Sequence, residues 1–244
     1  MNNGSISRSQ VLLAYGKKAL QAQEDTNCFA ECMISDAYAS AVNTDNEAKT
    51  NEGKKRPLEG VPVSIKDSEL AAGYDASLAF SAWVNKPSTR DSTIVRILRD
   101  AGAIIHVKTA VPTTLLSAET RSDLLGRTMN PYNHEYSSGG STGGGAALLA
   151  FGGTAIEIGT DLAGSLRTPA HYTGVYTIKG SAGRFPAPGG VSSINGLEAV
   201  QLVAGPMSRR LADLEEFWKG VLSMKPWEYD PSVRCHKYYN VVAK

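Results

Sequence analysis

Between Glu135 and Glu157 the chain runs for 21 residues without a charged side chain, and seven of those residues are glycine. About 20 apolar residues are enough for a helix to cross a bilayer, so the nature of this stretch decides what kind of fold is available. Its only continuous apolar run is Ala146 to Phe151, far short of a span, and glycine at this density weakens any long helix. The pattern predicts a glycine-rich loop, Ser137 to Gly145, leading into a short buried helix that Gly152 and Gly153 close. Such loops let backbone N–H groups approach a small ligand, because no Cβ keeps it away.

Around this loop the hydrophobic period alternates between helix and strand. Ser5 to Asp25 carries Val11, Leu12, Tyr15, Ala19 and Leu20 at helical spacing. A second helix is expected after Asn27, through Phe29, Cys32, Met33 and Ile34 to Ala37 and Ala41. The segment 43–56 is polar and charged and reads as a solvated connector. Gly60 to Asp67 alternates like a strand and ends on Lys66-Asp67, Thr93 to Ala101 fits a helix stopped by Gly102, and Ala103 to Lys108 is again a strand. Ala155 to Gly159 is a short strand. Pro169 suits the first turn of a helix, which places Ser165 in the loop just before a helix N-terminus. This alternation predicts an α/β layer fold. One domain, 1–244, is expected: a helical segment 5–42, the connector 43–56, a core 57–224 and a loop-like tail 225–244.

Charge and cysteine content narrow the partners. The 25 basic and 24 acidic side chains leave a net charge of +1, without the basic excess that nucleic acid or anionic membrane demands. Met1 to Ser9 is polar and leads into no apolar run, so no secretory signal is read there. Cys28, Cys32 and Cys235 are an odd set in a chain too large to need disulfide staples. Cys28 and Cys32 lie four apart on the expected helix. With no second pair and no nearby histidine they read as two semi-buried thiols, not metal ligands. A reduced, cytoplasmic setting is expected.

Two readings of the chemistry compete. Gly139-Gly-Ser141-Thr-Gly143 matches the G-x-S-x-G nucleophile elbow, which requires a later acid and histidine. His171 and His236 are the only histidines that follow, and neither has a recognisable context. No phosphate-binding G-x-x-x-x-G-K-[ST] occurs, and Gly143 to Gly145 lacks dinucleotide-loop spacing. The other reading starts from Lys66. At the end of an apolar strand its ammonium is poorly solvated, so its pKa falls and it becomes a base. Ser141 and Ser165 each sit in a glycine-rich loop, and a neutral lysine with two hydroxyls forms a nucleophile-activating chain that needs no histidine.

Taken together, four motifs resemble the amidase signature family of Ser–Ser–Lys hydrolases. They are Gly60-Val-Pro-Val-Ser-Ile-Lys66-Asp67, Gly126-Arg-Thr-Met-Asn-Pro, Ser138-Gly-Gly-Ser141-Thr-Gly-Gly and Gly159-Thr-Asp-Leu-Ala-Gly-Ser165-Leu-Arg-Thr-Pro-Ala. The resemblance covers about residues 5 to 233. The separations of 99 residues from Lys66 to Ser165 and 24 from Ser141 to Ser165 also fit. Trp83-Val-Asn-Lys-Pro and Lys225-Pro-Trp-Glu-Tyr-Asp-Pro look like the fungal acetamidase and fatty-acid-amide-hydrolase-like branch.

The resemblance implies a mixed β-sheet sandwiched between helices, with this chain resembling the N-terminal part of that fold. It implies Ser165 as nucleophile, Ser141 as the bridging serine and Lys66 as base. The backbone N–H groups of Leu162, Ala163, Gly164 and Ser165 are the implied oxyanion donors. Asp161 and Arg167 would hold the loop, and Thr142, where many members carry serine, would keep a hydroxyl hydrogen bond. No metal or cofactor is implied. The partner would be a small-molecule amide, with a homodimer allowed.

Three departures bear on this. Ala163 stands where the family has glycine, and is strained if its φ is positive. Gly145-Ala146 replaces an acidic residue and glycine of related fungal sequences. Family chains also continue well past Asp230-Pro231. Two functions follow as expectations: an amidohydrolase working through a serine ester, or a truncated remnant acting as a binding protein with uncovered sheet edges.

Overall fold

The computed structural model describes residues 6–50, 56–186, 189–194, 196–197 and 199–235. At its centre lies the strand expected at Gly60–Asp67, running from Pro62 to Lys66 with every residue buried. In chain order the strands are β1 (Phe29–Cys32), β2 (Pro62–Lys66), β3 (Ile104–Thr109), β4 (Arg121–Ser122), β5 (Gly126–Arg127), β6 (Met129–Asn130), β7 (Asn133–Ser137), β8 (Ile156–Asp161), β9 (Tyr176–Thr177) and β10 (Val203–Ser208). Six form one mixed sheet in the order β1-β3-β2-β8-β10-β9, and β4–β5 and β6–β7 are small separate hairpins. The three central strands are parallel and the outer pairings antiparallel.

Parallel neighbours need crossovers, and helices supply them. The helices are α1 (Arg8–Thr26), α2 (Ile34–Thr50), α3 (Thr93–Asp100), α4 (Gly143–Phe151), α5 (Arg167–Thr173), α6 (Leu211–Ser223) and α7 (Pro226–Tyr229). On one face Val63, Ile65, Ile105, Ile156 and Ile158 pack against Ile94, Ile97 and Leu98 of α3 and Phe217 and Val221 of α6. On the other, α1 and α4 pack through Ala19, Ala22, Ala147 and Leu148. Helices cover both faces, the mixed-sheet α/β architecture expected from the sequence.

Three expectations need correction. The helix expected from Asn27 begins only at Ile34, and Phe29–Cys32 forms β1, antiparallel to β3. Asn27 takes a left-handed conformation (φ 53°) that ends α1, and pairing at the sheet edge outweighs the helical spacing of so short an apolar run. Cys28 and Cys32 therefore share no helix face; the first is buried and the second exposed. The connector expected at 43–56 is helical as far as Thr50, because α2 extends into it. Asp45, within that extension, accepts from Arg8 N at 2.9 Å, Ser9 N at 3.0 Å and Ser9 Oγ at 2.7 Å. It thereby places a carboxylate on the N-terminus of α1, where the helix dipole favours one. The loop-like tail contains the single turn α7, and its part from residue 236 lies outside the described residues.

Candidate active site

Lys66 ends β2 with its side chain wholly shielded from solvent. Its Nζ lies 2.8 Å from Ser141 Oγ, 3.0 Å from Thr160 Oγ1 and 3.4 Å from Thr160 O. Burial disfavours the ammonium and brings the amine down to about 7 against the opposing pull of Glu157, Glu69 and Asp161. Asp67 does not neutralise it. The next residue on a strand faces the other way, and Asp67 there meets Lys108 Nζ at 3.3 Å and accepts from Ser77 Oγ at 3.0 Å and Leu78 N at 2.8 Å.

Ser141 follows Gly139 and Gly140, and the Gly140–Ser141 peptide is cis. Close approach explains the glycine: a Cβ on Gly140 would sit 2.4 Å from Ser117 O. Thr142 is the N-cap residue of α4. The hydrogen bond expected of its hydroxyl is absent: Thr142 Oγ1 is buried without a partner. Its side chain is pressed over Gly159, where an added Cβ would meet it at 2.6–2.8 Å. Thr142 joins the two loops through its main chain instead, its N–H donating to Ser165 O at 3.1 Å.

Ser165 sits in the loop between β8 and α5, half-buried, with no hydrogen bond from its hydroxyl to any described residue. Asp161 shapes this loop. Its carboxylate accepts from Gly164 N at 2.8 Å, Leu166 N at 3.1 Å and Arg167 N at 3.3 Å, and from the Arg167 guanidinium twice at 3.0 Å. Burial would raise this carboxyl, but the Arg167 fork and the three N–H donors together hold it below its ordinary value. Gly164 takes φ 132°, whereas Ala163 does not have a positive φ. The strain considered for Ala163 is therefore absent.

Ser141, Thr160, Leu162 and Ser165 line one cavity of about 60 Å³, and Leu116 and Ile194 also line it. The structure thus brings Lys66 to Ser141 directly, and Ser141 and Ser165 to one space. No histidine joins them among the described residues. His106 is buried between Val63 O and Gly153 O, His171 is exposed on α5, and His236 lies outside the described residues. Among the described residues the elbow reading of Ser141 finds no base. Sequence reasoning missed Thr160, whose hydroxyl and carbonyl flank the amine. It also missed Glu157, a carboxyl as out of place in an apolar strand as Lys66 is.

A buried lysine on a loop serine, beside a second loop serine and above a mixed sheet, defines the class of protein. The chain belongs to the amidase family, whose model matches residues 10–244. It is similar to the acetamidase of Emericella nidulans, 40% identical over 230 residues that cover 94% of this chain and 42% of that protein. The acetamidase of Aspergillus oryzae is 39% identical over 231 residues, 95% of this chain and 42% of that protein. Among solved structures, fatty acid amide hydrolase superposes with a TM-score of 0.95 at 33% identity, covering 98% of this chain and 42% of that one. The chain spans about two-fifths of the length of these relatives.

Proposed function

We propose that this site hydrolyses the C–N bond of a carboxylic amide through a serine ester. The observation that carries this is the 2.8 Å contact between a solvent-free Lys66 amine and Ser141 Oγ. A neutral amine has two N–H donors and one lone pair. The two oxygens of Thr160 take the donors, and the lone pair is left for the Ser141 hydroxyl. Ser141 passes its proton to Lys66 and takes that of Ser165, whose Oγ forms a bond to the amide carbon. Negative charge gathers on the carbonyl oxygen. Gly164 N–H is already committed to Asp161, so the N–H groups left to stabilise that oxygen are those of Leu162, Ala163 and Ser165. The proton returns through Ser141 to the leaving nitrogen, the C–N bond breaks, and ammonia or an amine departs. Water then repeats the sequence on the ester and releases the acid. The reaction balances with amide, water and protein alone. Leucine and isoleucine around the cavity suit an apolar acyl group.

A second reading, a weakly active remnant that binds, is favoured by the two-fifths span and by the exposed aromatics Tyr132, Tyr136, Tyr172 and Tyr176. Labelling with a fluorophosphonate followed by peptide mapping separates the two. The amidase reading expects label on Ser165, lost in Ser165→Ala and in Lys66→Ala. Label on Ser141 that survives Ser165→Ala would restore the elbow reading, and no label at all would leave the remnant.

A further inference from the structure

Glu157, the second residue of β8, has no access to solvent and stands between Ile156 and Ile158, which pack into the opposite face of the sheet. The reaction proposed above does not use it. Its carboxyl turns to the face covered by α4, where Ser64 Oγ donates to Oε2 and Thr109 Oγ1 donates to Oε1 at 2.7 Å. The first turn of α4 forms the roof. A Cβ on Gly145 would lie 2.3–2.4 Å from Cγ, Cδ and Oε1 of Glu157, so glycine at 145 is what leaves room for the carboxyl. Two hydroxyl donors and a helix backbone make a fitted seat for one carboxyl group.

That seat lies on the same face of the sheet as the amine. Ser64 and Lys66 are two residues apart on β2, so they share a face at a separation of about 6.6 Å along the strand. The other titratable groups that bear on the pair are Glu69 just beyond β2, Asp161 at the end of β8 and the Cys28 thiol ahead of β1. α4 and β10 bring none, and Lys108 on β3 is turned toward Asp67.

We propose that Glu157 is a positioning residue for Lys66, its carboxyl and the amine competing for one proton through their charges and not through a direct contact. One proton on the pair has two resting places: on Nζ, giving ammonium and carboxylate, or on the carboxyl, giving amine and acid. Only the second arrangement contains a base, so the balance between the two sets the fraction of active protein. Burial, the largest influence on each, lifts the carboxyl to about 8 while lowering the amine to about 7. The two ionise over one range, and the resulting midpoints belong to the pair. The inference rests on Lys66 being the base of the proposed reaction.

The test reads proton occupancy instead of turnover. Carbon NMR of the Lys66 Cε, identified by its loss in Lys66→Ala, and of the Glu157 Cδ, identified by its loss in Glu157→Gln, is followed against pH. In the wild-type protein both carbons are expected to show the same inflections. Midpoints that are independent of each other overturn the proposal. Glu157→Gln keeps the shape but cannot become an anion, so the Lys66 midpoint is expected to fall by about one pH unit or more. The exchange variant Gly145→Glu/Glu157→Gly returns a carboxyl to the seat from α4 and is expected to bring the midpoint back. A Lys66 midpoint unmoved by Glu157→Gln overturns the proposal as well. Failure of the amidase reading shows separately, in the absence of label on Ser165.

Discussion

Lys66 is a residue whose usefulness and whose cost have one origin. Burial lowers its amine from 10.5 to about 7, and between those values the unfolded chain binds a proton that the folded chain does not. Stability from this group therefore rises with pH from about 7 to about 10.5, is lost as pH falls back across that range, and changes no further below about 7. At neutral pH the deficit is on the order of 5 kcal/mol relative to a side chain that never ionises. Glu157 works in the opposite sense, its raised carboxyl lowering stability as pH rises from 4.5 to about 8, so the lysine signature is cleanest above pH 8. Lys66→Met is expected to abolish labelling of Ser165 yet raise the denaturation midpoint at pH 7, and to remove the stability gain between pH 8 and 10. Denaturant titrations at the three pH values check this; a less stable methionine variant would mean that the amine is well solvated. Lys66→Arg is expected to be as inactive as Lys66→Ala, because guanidinium stays protonated throughout this range. Labelling rates of the two variants decide it, and an arginine variant close to wild type would remove Lys66 from the role of base.

At the scale of elements, the loop from Asp161 to Arg167 is held from one end by one carboxylate. Asp161→Asn keeps the size but turns an amide N–H₂ toward donors that need an acceptor, with an expected loss of about 3 kcal/mol and a fall in labelling rate of about 10²-fold or more as N–H groups drift from the oxyanion position. Thermal unfolding and labelling kinetics on the same preparation separate the two effects. Ala163→Gly is expected to leave the rate within a few-fold, since Ala163 already has an unstrained φ. A gain of two orders of magnitude would show that the loop is distorted by the methyl group. The same elements show how much of the site was legible. Central parallel strands buried on both faces usually read as unbroken apolar runs, yet β2 alternates Val63-Ser64-Ile65-Lys66 and β8 reads Ile156-Glu157-Ile158. A polar half on such a strand sets it apart from an ordinary core strand, and at Lys66 that anomaly was readable. At Glu157 it was not, because its partners Ser64, Thr109 and Gly145 come from three other elements that only the sheet order brings together. The edge strand β1 was hidden for a related reason: its pairing with β3 is made across some 75 residues of chain and leaves no local period.

For the whole molecule, the question is whether a chain that spans two-fifths of its relatives folds as one unit. Its sheet is covered on both faces, and the larger cluster joins residues from β2, α3, β8 and α6 with Phe185 and the partly buried Trp218. The same cluster takes in Met33, between β1 and α2, and Leu58 ahead of β2. Contacts of such sequence range are lost together, which favours one transition. Against this stand Tyr132, Tyr136, Tyr172 and Tyr176, exposed on the β6–β7 hairpin and around α5, which Asn130 links by donating from its amide to Tyr172 O at 2.9 Å. An aromatic side of this kind promotes association more readily than it unravels a core. The three tryptophans report on different places: Trp83 in the segment between β2 and α3, Trp218 on α6 and Trp227 on α7. Thermal melts followed by tryptophan fluorescence and by far-ultraviolet circular dichroism are expected to coincide, with a midpoint that rises with protein concentration if the aromatic side pairs two copies. A fluorescence transition several degrees below the dichroism one would show that α6 and α7 leave the sheet before it melts. The chain would then be a remnant whose Lys66–Ser141 contact lacks a stable support.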